Sequence, residues 1–202
     1  DTVTVDNTIT VTQGKLEGLS LSSVDLEFAD DDNNIYSSFN GSGYSKITVS
    51  CWATFESTGN WRGLIFNTDT GGWNNGFGLG MNGSQELGFW IEDYLTPASI
   101  SSADTIALGD DGGQWHHIVG TYDGTNQKLY IDGVLKDTEA DTWSTKANSA
   151  TKLRMGCGGG NSNAADYFHD GKFRDVRIYD YGLSDDQVAS LSSGSYPVTP
   201  TH

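Results

Sequence analysis

Between Trp115 and Asp137 the chain reads W-H-H-I-V-G-T-Y-D-G-T-N-Q-K-L-Y-I-D-G-V-L-K-D, and no other stretch restricts the fold so tightly. Side chains alternate across a strand. His116, Ile118, Gly120 and Tyr122 therefore share one face, and Trp115, His117, Val119 and Thr121 the other. The next four residues, Asp123 to Asn126, are of types that tolerate positive φ and so make a turn. A second strand over Lys128–Ile131 runs into Asp132-Gly133, the signal for a tight type I′ hairpin. Val134 to Lys136 begin the return strand. This segment predicts an antiparallel meander.

The rest of the chain repeats the theme. Val24–Phe28 reads as a strand, and Tyr44–Phe55 places Ile47, Val49, Cys51, Ala53 and Phe55 on one face with Trp52 on the other. Trp61–Asn67 is a further strand, and Phe77–Met81 and Leu87–Glu92 form a hairpin across Asn82-Gly83. Thr70–Gly76 reads as a long loop around Trp73, and residues 98–113 as a polar crossing. Leu153–Gly156 and Phe173–Tyr179 complete the strands. One helix is expected after Ser184, because Ser184-Asp185-Asp186-Gln187 is a capping box with acidic residues in its first turn. Val188 and Leu191 supply its narrow apolar face.

Length and composition agree with a sandwich. A chain of 202 residues is most simply one domain. At that length about 70% of the unfolded surface can be buried, so a two-sheet core needs no metal or disulfide. Gly is abundant at 26 residues, and six Trp, nine Tyr and eight Phe are available to fill the core. The formal charge of −16 argues against nucleic acid and anionic membranes, which need a basic patch. No apolar run is long enough to span a bilayer, and no signal peptide stands at Asp1. Cys51 and Cys157 fall in apolar alternations and read as buried thiols or as a cross-sheet disulfide.

The segment W-H-H-I-V-G-T-Y-D-G with L-Y-I-D-G, followed near the end by G-K-F-R-D-V-R-I-Y-D and Leu183-Ser184, resembles the laminin-G-like jelly rolls of the concanavalin A-like lectin/glucanase superfamily. The resemblance runs from about Ser22 to Ser193. It implies an all-β, two-sheet antiparallel jelly-roll sandwich with one short C-terminal helix. Residues 22–193 form the domain, residues 1–21 an edge strand or linker, and residues 194–202 a polar tail. The family serves in glycan binding, in adhesion and as accessory domains of larger proteins.

The sandwich glycanases related to this family carry two Glu and an Asp on one face of a strand. Here Glu17, Glu27, Glu56, Glu86, Glu92 and Glu139 are all isolated, whereas glycoside hydrolysis needs paired carboxyls. His116 and His117 alternate faces within a strand, His169 lies in a loop, and no zinc spacing or nucleophile motif is present. The expectation is a non-catalytic domain.

Two site expectations follow. The run Asp30, Asp31, Asp32, Asn33, Asn34 offers oxygen ligands of the kind calcium takes. The resemblance implies a structural calcium here, held by Asp30, Asp32 and Asn34 with Asp175 from the final strand. The alternative is a solvated acidic loop, with Asp175 bonded to backbone or paired with Arg174 or Arg177. For sugar, Trp73 among glycines and Asn74 and Asn75 suggests an aromatic platform with amide donors, joined by Tyr94, Asn161 and Asn163; Trp61 and Trp90 belong to it if they line the same face. The alternative is that Trp73 caps an edge of the core and the Asn residues satisfy turn geometry; Trp52 and Trp115, at core-motif positions of the resembled family, are assigned to packing. The sequence thus points to an extracellular, cell-surface or virion-surface module that binds a glycan or polysaccharide. The competing class is a structural or interaction domain of a virion, fibre or large adhesin.

Overall fold

The structure, a computed structural model, describes residues 19–20, 26–29, 46–55, 62–68, 74–83, 86–93, 100–102, 114–140, 152–156, 158–159, 165–166, 169 and 171–194. In chain order the strands are β1 (Leu19–Ser20), β2 (Leu26–Ala29), β3 (Ile47–Ala53), β4 (Arg62–Thr68), β5 (Asn74–Met81), β6 (Leu87–Asp93) and β7 (Ile100–Ser102). They continue as β8 (His116–Tyr122), β9 (Asn126–Ile131), β10 (Val134–Ala140), β11 (Lys152–Met155), β12 (Gly158–Gly159), β13 (Ala165–Asp166) and β14 (Lys172–Tyr179), before helix α1 (Asp185–Ser192). The first sheet is ordered β1-β14-β3-β8-β9-β10 and the second β2-β11-β4-β5-β6-β7, while β12 and β13 form a separate two-stranded ladder.

Every described strand pairing is antiparallel. The meander β8-β9-β10 forms as the alternation predicts. Asp123 Oδ1 accepts from the backbone N–H of Thr125 and of Asn126, closing the first turn. Asp132 (φ 53°) and Gly133 (φ 78°) both lie in the left-handed region, as a type I′ turn demands.

The core lies between the sheets. Ile47, Val49, Cys51 and Ala53 from β3, with Ile118, Tyr122, Leu129 and Ile131, meet Leu79, Met81, Leu87, Phe89 and Ile91 from the second sheet. Gly120 makes this approach possible, since a Cβ there would stand 2.2 Å from the Phe89 ring. Cys51 is a free, buried thiol, and burial pushes its pKa up, so the disulfide alternative does not hold for it. Cys157 lies outside the described residues.

Helix α1 forms where the capping box places it. Ser184 Oγ accepts from Gln187 N–H, and Gln187 Oε1 accepts from Ser184 N–H. Val188 and Leu191 bury against Val119 and Tyr130 on the outer side of the first sheet, making a second small core with Leu183. Asp185 pins the helix start by accepting from Lys128 Nζ and from Tyr130 Oη, both at 2.7 Å.

Three details differ from the sequence reading. Asn74 to Gly76 belong to β5 rather than to a loop, because they pair back through Gly76↔Thr68 and Asn74↔Asp93. Residues 100–102 form β7 on the edge of the second sheet, inside what reads as a polar crossing; its length of three residues is too short for alternation to show. His169 is fully buried rather than simply carried on a loop. Its backbone N–H donates to Gly156 O, and its ring Nε2 lies 2.9 Å from Thr54 O. A carbonyl can only accept, so Nε2 carries the proton. His169 thereby ties the two sheets together, with Phe55 and Phe173 against its ring.

Candidate functional site

The register of the second sheet decides which candidate residues come together. Ala29 pairs with Lys152 on β11, and Arg154 on β11 pairs with Phe66 on β4. Thr68 pairs with Gly76, and Asn74 with Asp93. Ala29, Thr68, Asn74 and Asp93 thus lie toward one end of this sheet. From that end the chain continues to Asp30 after β2 and to Tyr94 after β6, while Trp73 immediately precedes β5. Trp73, Tyr94, Asp30, Asp32 and Asn34 themselves lie outside the described residues, and for Asn74 and Asn75 the description is of the backbone.

Asn161 and Asn163 also lie outside the described residues, within the connection between β12 and β13. That connection leaves from the opposite end. Gly156 N–H donates to Leu64 O, and β12 continues from there toward Arg62. Roughly 20 Å of strand separates Leu64 from the level of Asn74 at about 3.3 Å per residue. The sheet does not place the anchors of these two asparagine groups side by side.

Trp90 is not a platform. It is 1% exposed on the outer side of the second sheet, lying over Gly78, where a Cβ would meet its ring at 2.5 Å. Phe66 packs against it edge-on, with ring centroids 5.1 Å apart. Trp61 lies outside the described residues.

On the outer side of the first sheet, beyond helix α1, is a polar cluster around His117. His117 is 2% exposed. Its Nε2 is 3.0 Å from Ser50 Oγ, its ring lies 5.1 Å from that of Trp52, and its buried Nδ1 has no partner. Burial pushes its pKa down to about 4; Asp175 and Asp132 oppose the shift and Arg177 adds to it. Asp132 holds the neighbouring backbone, accepting from His117 N–H at Oδ1 and contacting His116 Nδ1 at Oδ2. Trp52 and Trp115 are half-buried on this outer side, not in the inter-sheet core. Alternation alone separates the two faces; it does not say which of them points inward.

Asp175 is the one candidate metal ligand whose side chain is described. Both of its oxygens accept from Arg177, at 2.7 Å from Nε and 2.9 Å from Nη2. Among the described residues no group of three or more His, Cys, Asp or Glu is placed to hold a metal ion. Of the two readings of Asp175, the described contacts are those of its pairing with Arg177.

A laminin-G family model, described as concanavalin A-like lectin/glucanases superfamily, matches residues 29–189. The chain belongs to this superfamily. No curated protein matches it. Among solved structures it resembles the receptor-binding domain of botulinum neurotoxin D, with 20% identity and a TM-score of 0.63, over 87% of this chain and 43% of that one. It also resembles the binding domain of botulinum neurotoxin DC in complex with rat synaptotagmin II, with 16% identity and a TM-score of 0.62, over 86% and 40%. A third is a structure of botulinum neurotoxin type C, whose cell entry depends on interaction with two ganglioside molecules; there the identity is 18% and the TM-score 0.60, over 86% and 40%. At such identities the likeness is one of fold, and the chain spans about two fifths of the length of these domains. Among the described residues no helix is long and apolar enough to cross a membrane.

Proposed function

We propose that this superfamily member is a non-catalytic binding module that recognises a glycan outside the cell. The observation that carries the reading is the family match over residues 29–189, which makes the sandwich one of a lectin-containing superfamily. The resemblance to receptor-binding domains, one of them from a toxin whose entry depends on gangliosides, adds support.

The proposed site is the end of the second sheet where Asn74 and Asn75 begin β5, with Trp73 just before them and Tyr94 just after β6. The Asn74↔Asp93 pairing holds the starting points of Trp73 and Tyr94 together. An aromatic ring there would stack on the C–H face of a sugar, and amide groups would bond its hydroxyls. A protein receptor is the second reading, favoured by the neighbour solved with synaptotagmin II.

A glycan array probed with the full chain and with Trp73→Ala tests the site. The expected result is sugar binding by the wild type that falls at least tenfold in the variant, with an unchanged melting temperature. Absence of binding at high protein concentration, with and without calcium, would overturn the glycan reading in favour of a protein receptor or a structural role. Hydrolysis of a polysaccharide would overturn the non-catalytic assignment.

A further inference from the structure

The final strand departs from regular pairing at one place. Between Arg174↔Trp52 and Arg177↔Ser50, β14 advances three residues while β3 advances two, leaving a bulge. Asp175 sits in it with φ 50°. A non-glycine residue holds the left-handed region at a cost, which its surroundings must offset. What surrounds Asp175 is Arg177, two residues on and across the bulge, whose guanidinium meets the carboxylate as a two-pronged fork. Nη1 also lies 3.5 Å from Tyr179 Oη.

The pair is largely withdrawn from water, with side-chain exposures of 26% for Asp175 and 15% for Arg177. Burial alone would lower the Arg177 pKa, but its bonds to Asp175 and Tyr179 outweigh that and raise it. The guanidinium stays charged. A calcium ion seated on both Asp175 oxygens, at about 2.3–2.6 Å from each, would need the space this fork fills. It would also bring like charge against Arg177.

The topology also separates Asp175 from Ala29, after which the acidic run begins. Phe173 pairs with Ala53, and the neighbouring Thr54 reaches Gly156 through His169, so Asp175 lies nearer the Gly156 end of the sandwich. Asp175 is on the outer side of the first sheet, whereas Asp30 follows the opposite end of the second.

We propose that Arg177 is the resident cation of this bulge, so that Asp175 is neutralised by the chain's own guanidinium and the final strand is held there without calcium. A tethered cation is present at every ion concentration and cannot be chelated. The fork also fixes orientation, which a spherical ion does not.

Thermal melting of the EDTA-stripped full chain, with and without millimolar calcium chloride, tests this in wild type, Asp175→Asn, Arg177→Leu and Arg177→Lys. Asn tolerates the left-handed backbone, so Asp175→Asn removes the charge and little else. The expected result is the same calcium response in wild type and Asp175→Asn, whether that response is nil or arises at other residues. Arg177→Leu should melt several degrees lower, and Arg177→Lys, which keeps the charge but loses the fork, should recover only part. Stabilisation by calcium that is present in wild type and lost in Asp175→Asn would overturn the proposal. So would an Arg177→Leu variant that melts like wild type. Should Arg177→Leu fail to fold, Arg177→Lys and Asp175→Asn carry the same decision.

Discussion

On the outer side of the first sheet Val119 and Tyr130 are covered by helix α1, while on the outer side of the second Phe66 and Trp90 lie down over glycines. The first solution is modular. A separate element follows the last strand, buries Val188 and Leu191, and is pinned by Asp185 to Lys128 and Tyr130. Among the described residues, the second is built from the sheet itself. Gly78 and Gly80 leave a floor without Cβ atoms, so the Trp90 ring comes down over Gly78 and the Phe66 ring over Gly80, edge-on to each other. The difference lies in what the described residues set against the buried aromatics: a helix over Val119 and Tyr130, and glycines beneath Phe66 and Trp90. The first face keeps a polar remainder beyond the helix, around His117, Ser50, Asp175 and Arg177.

The largest test of this contrast is Trp90→Ala. With the floor already lacking side chains, nothing nearby on the strand can fill the space, and a loss of about 4 kcal/mol is expected on urea unfolding. A loss below about 1 kcal/mol would mean that the ring contributes little and that the comparison fails for the second sheet.

The polar remainder of the first face should show itself as pH dependence. The His117 pKa is lowered from an ordinary 6.5 to about 4 in the folded protein, with burial as the main cause. The unfolded chain therefore takes up the proton first. Stability from this group is complete above pH 6.5, is lost as pH falls from 6.5 toward 4, and levels off below that, by on the order of 3 kcal/mol in total. The carboxyls of Asp123 and Asp185 are held below their ordinary range, so their contributions are lost only under more acidic conditions. Urea titrations between pH 7 and 4.5 should show the slope in wild type and a flatter one in His117→Gln. Equal slopes would place the titrating group elsewhere.

The smallest effect belongs to the helix cap. Ser184→Ala removes the acceptor for Gln187 N–H and should cost about 1 kcal/mol. A measured loss near zero would show that burial of Val188 and Leu191, with the Asp185 pins, holds the helix unaided.

Of the candidate site, what the sequence makes legible is composition rather than assembly. Asn74 and Asn75 were readable as amides beside an aromatic, but their place in β5 depends on pairing with Asp93, nearly twenty residues away. Trp90 is an aromatic like Trp73 in one dimension; only the glycine opposite it, on the neighbouring strand, reveals that it is buried. His169 looks like a loop residue because both groups it bonds, Thr54 O and Gly156 O, come from other segments.

By itself the sequence determined the antiparallel meander and the I′ turn at Asp132-Gly133, through period-two alternation and the φ preferences of adjacent residues, and the capped helix after Ser184, through its capping box; the jelly-roll class came from the family resemblance. Tertiary structure alone decided which outer aromatics are buried and that Asp175 closes on Arg177. Those outcomes turn on long-range register and on the one-residue bulge in β14, and a bulge redirects side chains without leaving any periodic mark in the chain that contains it.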